Sequence, residues 1–194
     1  MSTALDWING ICWSIVYLIA IVAGIRKKTY CIPAVCICLN FSWEFWVVLV
    51  RIMEQSPLSS GFVSQLLWLI LDVGVLWTWM RDGQGVSIKK KWMLLIGAAA
   101  LMAAVTVGAG RWLEAAFSIN LIMSVAFLYQ TDQQVYRSAP IAFLKCIGTF
   151  AATILNGMID RNLFALAIGG MCLIADVCYI NDLWKNKKYN GVNQ

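Results

Sequence analysis

Asn40-Phe41-Ser42-Trp43-Glu44-Phe45-Trp46 places one carboxylic acid among tryptophans and phenylalanines, inside an apolar run from Tyr30 to Val50. About 20 apolar residues cross the hydrocarbon core of a bilayer as a helix, so this run is long enough to span one. An acid in that position costs several kcal/mol, roughly 2.5 or more, and for that reason intramembrane acids usually have a function. Desolvation disfavours the charged form, which makes a protonated Glu44 the expected state. A neutral, shielded acid beside electron-rich indole faces is suited to protonating an alkene or an epoxide. The same indoles would guard the cation that results.

Composition extends this reading to the whole chain. Of 194 residues, 61% are hydrophobic and 13% charged, with a mean hydropathy of +0.73. Soluble domains carry roughly 25% charged residues. The expected fold class is therefore all-α: a polytopic membrane protein forming one domain over residues 1–194. Seven apolar runs, at about 9–25, 30–51, 62–80, 92–109, 112–130, 140–157 and 162–184, predict a bundle of seven transmembrane helices. The longest internal break, Arg81 to Lys91, carries Gly83 and Gly85, and no connection has room for a soluble domain. No internal repeat is visible.

The net charge of +5 reads as a topology signal and not as a nucleic-acid surface. Arg26, Lys27 and Lys28 follow the first run, and Arg81, Lys89, Lys90 and Lys91 separate the third from the fourth. Arg137 and Lys145 flank the fifth break, and Lys185, Lys187 and Lys188 follow the last run. In a seven-span arrangement all of these fall on one side, against Arg51, Arg111 and Arg161 on the other. The positive-inside rule then puts the C-terminus in the cytoplasm and the N-terminus outside or in a lumen. The first run lacks a basic n-region and is followed by Arg26-Lys27-Lys28, so it is expected to be a retained helix.

Seven cysteines (12, 31, 36, 38, 146, 172 and 178) form no C-x-x-C, and most sit in apolar runs where cysteine acts as a small hydrophobe. The chain has no histidine. That removes histidine bases, Ser-His-Asp triads, haem ligation and most zinc chemistry, leaving acid–base work to carboxylates, tyrosines or water.

Three acids lie inside predicted helices: Glu44, Asp72 and Asp176. The others (Asp6, Glu54, Asp82, Glu114, Asp132, Asp160 and Asp182) fall at helix ends or in loops, where solvation explains them. For the interior three the alternative to chemistry is a polar clamp between helices, and Asp72 is the first candidate for one. Residues three, four and seven apart share a helix face. Glu44 thus shares a face with Asn40, Val47 and Arg51, and Asp72 with Gln65, Trp68 and Trp79. Asp176 shares one with Gly169, Cys172 and Tyr179. Asn120 and Ser124 in the fifth run, and Thr149, Thr153, Asn156 and Asp160 in the sixth, add polar stripes. Such stripes on five of seven helices favour a shared polar pocket. Of the ten tryptophans, Trp7, Trp92, Trp112 and Trp184 fit an interfacial belt. Trp43, Trp46, Trp68 and Trp77 lie nearer mid-span and are candidates to line a substrate cavity, with plain packing as the alternative.

The ordered set of segments Asn40–Trp46, Leu69–Asp72, Ile119–Ser124, Phe143–Thr149 and Asp176–Tyr179 carries a resemblance. It is similar to the small integral-membrane terpene cyclases of meroterpenoid and indole-diterpene pathways, among them the fungal pyripyropene and paxilline cyclases and the bacterial drimentine cyclase. The resemblance runs through nearly the whole chain and implies seven helices. It further implies an essential Glu within N-x-x-W-E, matched by Glu44, and an essential Asp in the last helix, matched by Asp176. The mechanism it implies is protonation of the terminal epoxide or alkene of a polyprenyl chain by Glu44, oriented by Asn40, with ring closure through carbocations. In that mechanism Asp176 holds Glu44 protonated, shares its proton, or takes the final proton. Asn40, Trp43, Trp46, Trp68, Asp72, Trp77, Asn120 and Tyr179 are the expected substrate-binding residues.

No metal or other cofactor is expected, since the implied reaction does not begin by losing diphosphate; neither the D-D-x-x-D metal motif nor the D-x-D-D acid motif of soluble terpene cyclases occurs. The expected partners are a prenylated small molecule and the lipid bilayer, with no nucleic acid and no signal of oligomeric state. The expected location is a bacterial inner membrane or a fungal endoplasmic reticulum. A proton-coupled carrier is the main alternative, because its intramembrane acids would relay protons. Carriers often show repeats and broken helices, which are not visible here. A retinal-type receptor would need a lysine deep in the last helix, and a noncatalytic scaffold would leave the interior acids unexplained.

Overall fold

The computed structural model describes residues 2–54, 60–83, 85–129 and 136–190. Asp132 and the side chains of Lys187 and Lys188 lie outside the described residues. The described residues form seven helices, and no strand occurs among them. They are α1 (Ser2–Lys27), α2 (Ala34–Met53), α3 (Ser60–Asp82), α4 (Ile88–Met102), α5 (Trp112–Leu128), α6 (Ala139–Ala152) and α7 (Leu163–Asn190). Two continue without a break into wider π-helical turns, α4 through Ala103–Gly108 and α6 through Thr153–Ile159. Six of the seven are long and apolar enough to cross a membrane; α5, with 17 residues, is shorter.

Helix boundaries reflect local chemistry. Pro33 stands at the N-cap of α2, and Pro140 occupies the first turn of α6, where a missing N–H costs no hydrogen bond. Ser87 caps α4 by accepting a hydrogen bond from the Lys90 amide. α1 begins at Ser2 and α7 runs on to Asn190, beyond the apolar limits at residues 9 and 184. Hydropathy marks the part of a helix that meets lipid, whereas the backbone ladder continues past it. The π turns are not legible in hydropathy at all. Thr106 and Thr153 donate their hydroxyls back to the carbonyls of Met102 and Thr149. This competition with the regular ladder accompanies bends in many helices, and π turns often mark functional regions.

α1 packs mainly on α3 and α6 and meets its sequence neighbour α2 chiefly through the hydrogen bond from Asn40 to Tyr17. α2 contacts α3, α4 and α5, while α7 joins α5 to α6. The six helices α1, α3, α2, α5, α7 and α6 close a ring, and α4 lies outside against α2. Close approach depends on glycine at several places, two of them beside the site. A Cβ on Gly169 of α7 would collide with the Thr153 hydroxyl oxygen, and one on Gly148 of α6 would press on the Trp13 indole at 3.1 Å.

The Tyr136 amide donates to the Tyr30 carbonyl at 2.9 Å, and Lys27 lies 4.2 Å over the Tyr136 ring. These contacts put the α1–α2 and α5–α6 connections at one end of the bundle. Lys91 is buried and donates to the Trp79 and Met80 carbonyls in the last turn of α3, so α4 starts at that end too. Lys145 departs from expectation. It does not flank a connection but sits within α6, 2% exposed, and drops out of the topology count. Outward-facing Ile70, Ile96, Leu163 and Ile174 present an apolar surface, as lipid contact requires.

Candidate active site: an acid and aromatic cavity

Glu44 is 2% exposed and lines a partly open cavity of about 130 Å3 within the ring of helices. Helical spacing builds each wall. On α1, Asn9, Trp13 and Tyr17 recur every four residues and present one face; on α2, Asn40 stands one turn from Glu44 beside Trp43. Trp68 of α3 and Phe117, Asn120 and Met123 of α5 close the remaining sides. Two of the tryptophans are pinned by their own N–H groups. Trp68 donates to the Ser14 hydroxyl at 3.1 Å, and Trp43 donates to the Trp112 carbonyl at 3.1 Å.

Three buried oxygens on residues lining this cavity have no hydrogen-bond partner: Glu44 Oε2, Asn9 Oδ1 and Asn120 Oδ1. Buried polar atoms are nearly always paired, so a cluster of unpaired ones points to something that binds between them. Asn40 has no spare donor. Its Nδ2 donates to the Tyr17 hydroxyl and to Asp72 Oδ2, each at 2.7 Å, which connects the Glu44 wall to the acid of α3. Asp72, also 2% exposed, lies behind Asn40 and does not line the cavity.

Asp176 is placed differently. Both its oxygens accept from the Lys145 ammonium, at 2.7 and 2.9 Å, and the same nitrogen donates to the Ser124 hydroxyl at 2.6 Å. Lys145 and Asp176 are 2% and 3% exposed, so this is a fully buried ion pair joining α5, α6 and α7. It does not line the Glu44 cavity. One turn along, Asn120 donates to the Thr149 hydroxyl at 3.0 Å and continues the seam between α5 and α6. Spacing alone puts Asp176 on a face with Tyr179, but it gives no sign that Lys145, on another helix, meets the acid first.

The remaining expected residues divide. Asn40, Trp43, Trp68 and Asn120 line the cavity with Glu44. Trp46 is turned away and donates to the Ala99 carbonyl at 2.9 Å, tying α2 to α4. Trp77 is 47% exposed with Arg81 stacked 4.3 Å over its ring, so it faces outward at the bundle surface. Tyr179 is buried against Phe127 with Arg137 over its ring, away from the cavity. Trp112, expected at the interface, is the first residue of α5 and also holds Trp43 through its backbone carbonyl. Asn9, Trp13, Tyr17, Phe117 and Met123 were not expected from the sequence. Their signal was present as the four-residue spacing of Asn9, Trp13 and Tyr17, but no interior acid drew attention to that helix. Among the described residues no three Cys, Asp or Glu side chains gather where they could hold a metal ion.

Membrane-length helices ringed around a buried carboxylic acid and its indoles define an integral-membrane protein with an acid and aromatic cavity between its helices. The model of the Pyr4-like transmembrane terpene cyclases matches residues 1–189, and the chain belongs to that family. It is 24% identical to the terpene cyclase pyr4 of Aspergillus fumigatus over 97% of this chain and 89% of that one. It is 30% identical to the Pyr4-family terpene cyclase mfmH of Annulohypoxylon moriforme over 48% of this chain and 40% of the relative. Terpene cyclase macJ of Penicillium terrestre shares 31% identity over 39% of this chain and 28% of its own length. No solved structure matches. The family implied by the ordered segments is the family found, and a carrier is not favoured.

Proposed function

We propose that the protein cyclises a polyprenyl chain borne on a meroterpenoid or prenylated-indole type of substrate, and that Glu44 starts the reaction by protonation. The observation that carries this reading is the Glu44 carboxyl itself, buried among Trp13, Trp43 and Trp68 with one oxygen unpartnered. No ion pair reaches it among the described residues. A charged carboxylate so placed would carry a large desolvation cost, which favours the neutral acid.

The neutral acid sets the order of steps. The Glu44 proton passes to the terminal alkene carbon or epoxide oxygen, and the cation that forms is attacked by the next double bond. Rings close in succession. The indole faces stabilise each cation by roughly 0.5–2 kcal/mol, and a prenyl chain filling the aromatic cavity would displace the water that could trap it. Loss of a proton from carbon ends the sequence, so the product is an isomer of the substrate. Asn40 fixes the wall beside Glu44, and Asp72 and Tyr17 fix Asn40. Asp176, held by Lys145 outside the cavity, supports the α5–α6–α7 seam on which Asn120 depends. This arrangement favours a positioning role for Asp176 over a share in the Glu44 proton.

Membranes containing the protein, incubated with prenylated aryl or indole substrates as terminal alkenes and as terminal epoxides, provide the test. The expected product is an isomer of unchanged mass, formed equally well after treatment with excess EDTA. In deuterium oxide the alkene route adds one carbon-bound deuterium; the epoxide route adds it to oxygen, where it exchanges away. Loss of activity in EDTA that magnesium restores would overturn the mechanism, as would activity only on an added prenyl diphosphate, with release of diphosphate.

A further inference from the structure

The Glu44 cavity measures about 130 Å3, close to the roughly 150 Å3 of an apolar cavity that holds one benzene ring. It has space for the reacting end of a prenyl chain, not for the whole molecule with its head group. A second cavity of about 310 Å3 lies toward the end of the bundle where α2 finishes and α3 begins, and Trp43 lines both. The chemistry of its walls is different. Arg51, Glu54 and Gln65 stand there beside Trp112. Gln65 Oε1 is buried with no hydrogen-bond partner, and Arg51 enters no ion pair among the described residues.

The partly exposed Arg51 guanidinium, free of any ion pair among the described residues, and the buried unpaired Gln65 oxygen on one cavity suit a ligand with both polarities: an acceptor for Arg51 and a donor for Gln65. Trp43 and Trp112 add flat apolar surface, held in place by the Trp43 N–H bond to the Trp112 carbonyl. Glu54 in the same wall offsets the charge of Arg51, which disfavours a diphosphate and favours a head group that is neutral or nearly so.

We propose that this second cavity is the head-group subsite. It takes an oxygenated aromatic or enolic ring whose carbonyl meets Arg51 and whose hydroxyl or N–H meets Gln65, while the prenyl tail passes Trp43 to reach Glu44. The proposal rests on the cyclase reading above for the presence of a tail, and its test reads binding without turnover.

The probe is the farnesyl ether of 4-hydroxy-4′-(hydroxymethyl)benzophenone, which keeps one hydroxyl away from the ketone and uses its carbonyl as both acceptor and photoreactive group. Irradiated with the full-length protein in detergent, it should label the α2 end near Arg51, the α3 start near Gln65, or the α5 start near Trp112. Arg51→Gln and Gln65→Leu should each lower labelling at least threefold at a sub-saturating probe concentration, with unchanged melting temperature. Arg51→Lys should recover only part of the loss, because it keeps the charge without the guanidinium fork. Glu44→Gln should leave labelling intact while turnover disappears. Labelling of wild-type protein only elsewhere, no labelling, or full labelling in both folded variants would overturn the subsite. Labelling as expected in a protein that turns over no prenylated substrate would sink the cyclase reading and leave the subsite standing.

Discussion

At the scale of single residues, Glu44 is the position from which the chemistry can be tested. Glu44→Gln preserves size and some hydrogen bonding but has no acidic proton to give. The expected result is a loss of at least about 100-fold in cyclisation, the usual scale for removing a general acid, with melting temperature unchanged. A variant that keeps a tenth of wild-type turnover would exclude Glu44 as the donor. This residue was legible in the sequence because an acid in an apolar run has few structural explanations. Asn40 was legible too, through its four-residue spacing, but its partners were not. Nothing in the linear pattern says that its amide is spent on Tyr17 and Asp72 and not on Glu44. Trp77 shows the limit from the other side: mid-span position does not distinguish a tryptophan facing the cavity from one facing outward. Nine residues put Trp68 and Trp77 on opposite faces of α3, and the packing of that helix turns Trp68 in and Trp77 out.

At the scale of elements, the helices were read closely from hydropathy, and the seam between α5, α6 and α7 was not. Lys145 looked like a charge beside a connection because the break before α6 contains Arg137, yet α6 carries it inward to Asp176. Removing one partner of a buried ion pair typically costs 3–5 kcal/mol, whereas an apolar replacement of both is often neutral or stabilising. Asp176→Asn and Lys145→Met are therefore each expected to lower the melting temperature and impair cyclisation severely. The double variant Lys145→Met with Asp176→Leu should recover most of the stability. If Asp176 acts only through the seam, it should recover turnover as well; Asp72→Asn, which leaves the seam alone, should impair cyclisation less. Measuring both quantities separates the roles. Stability restored without turnover would return Asp176 to the chemistry, while no recovery of stability would refute the ion pair as the organising contact. The π turns belong to this scale as well. They bring Thr153 against Gly169 at the end of the seam, a close fit that a four-residue periodicity does not foretell.

At the scale of the whole molecule, the ring order could not be read from the chain, since α1 passes over its neighbour α2 to pack on α3 and α6. The ends of the bundle are better determined. Lys27, Arg81, Lys90 and Arg137 gather at the end shared by the α1–α2 and α5–α6 connections, while Arg51 and the second cavity lie at the opposite one. With the basic end in the cytoplasm, the head group would meet the protein from the lumenal or external side. The weak point of a seven-span arrangement is α5, whose 17 residues give about 25 Å of helix against a hydrocarbon core of about 30 Å. Single cysteines at Ser87, Ala109 and Tyr129, introduced into a Cys178→Ser background, test each crossing with a membrane-impermeant maleimide. Positions 87 and 129 are expected to react only from the cytoplasmic side, and position 109 only from the opposite side. Reaction of 109 and 129 from the same side would mean that α5 does not cross. The Glu44 cavity would then need a different relation to the bilayer, because Phe117, Asn120 and Met123 of that helix form its wall.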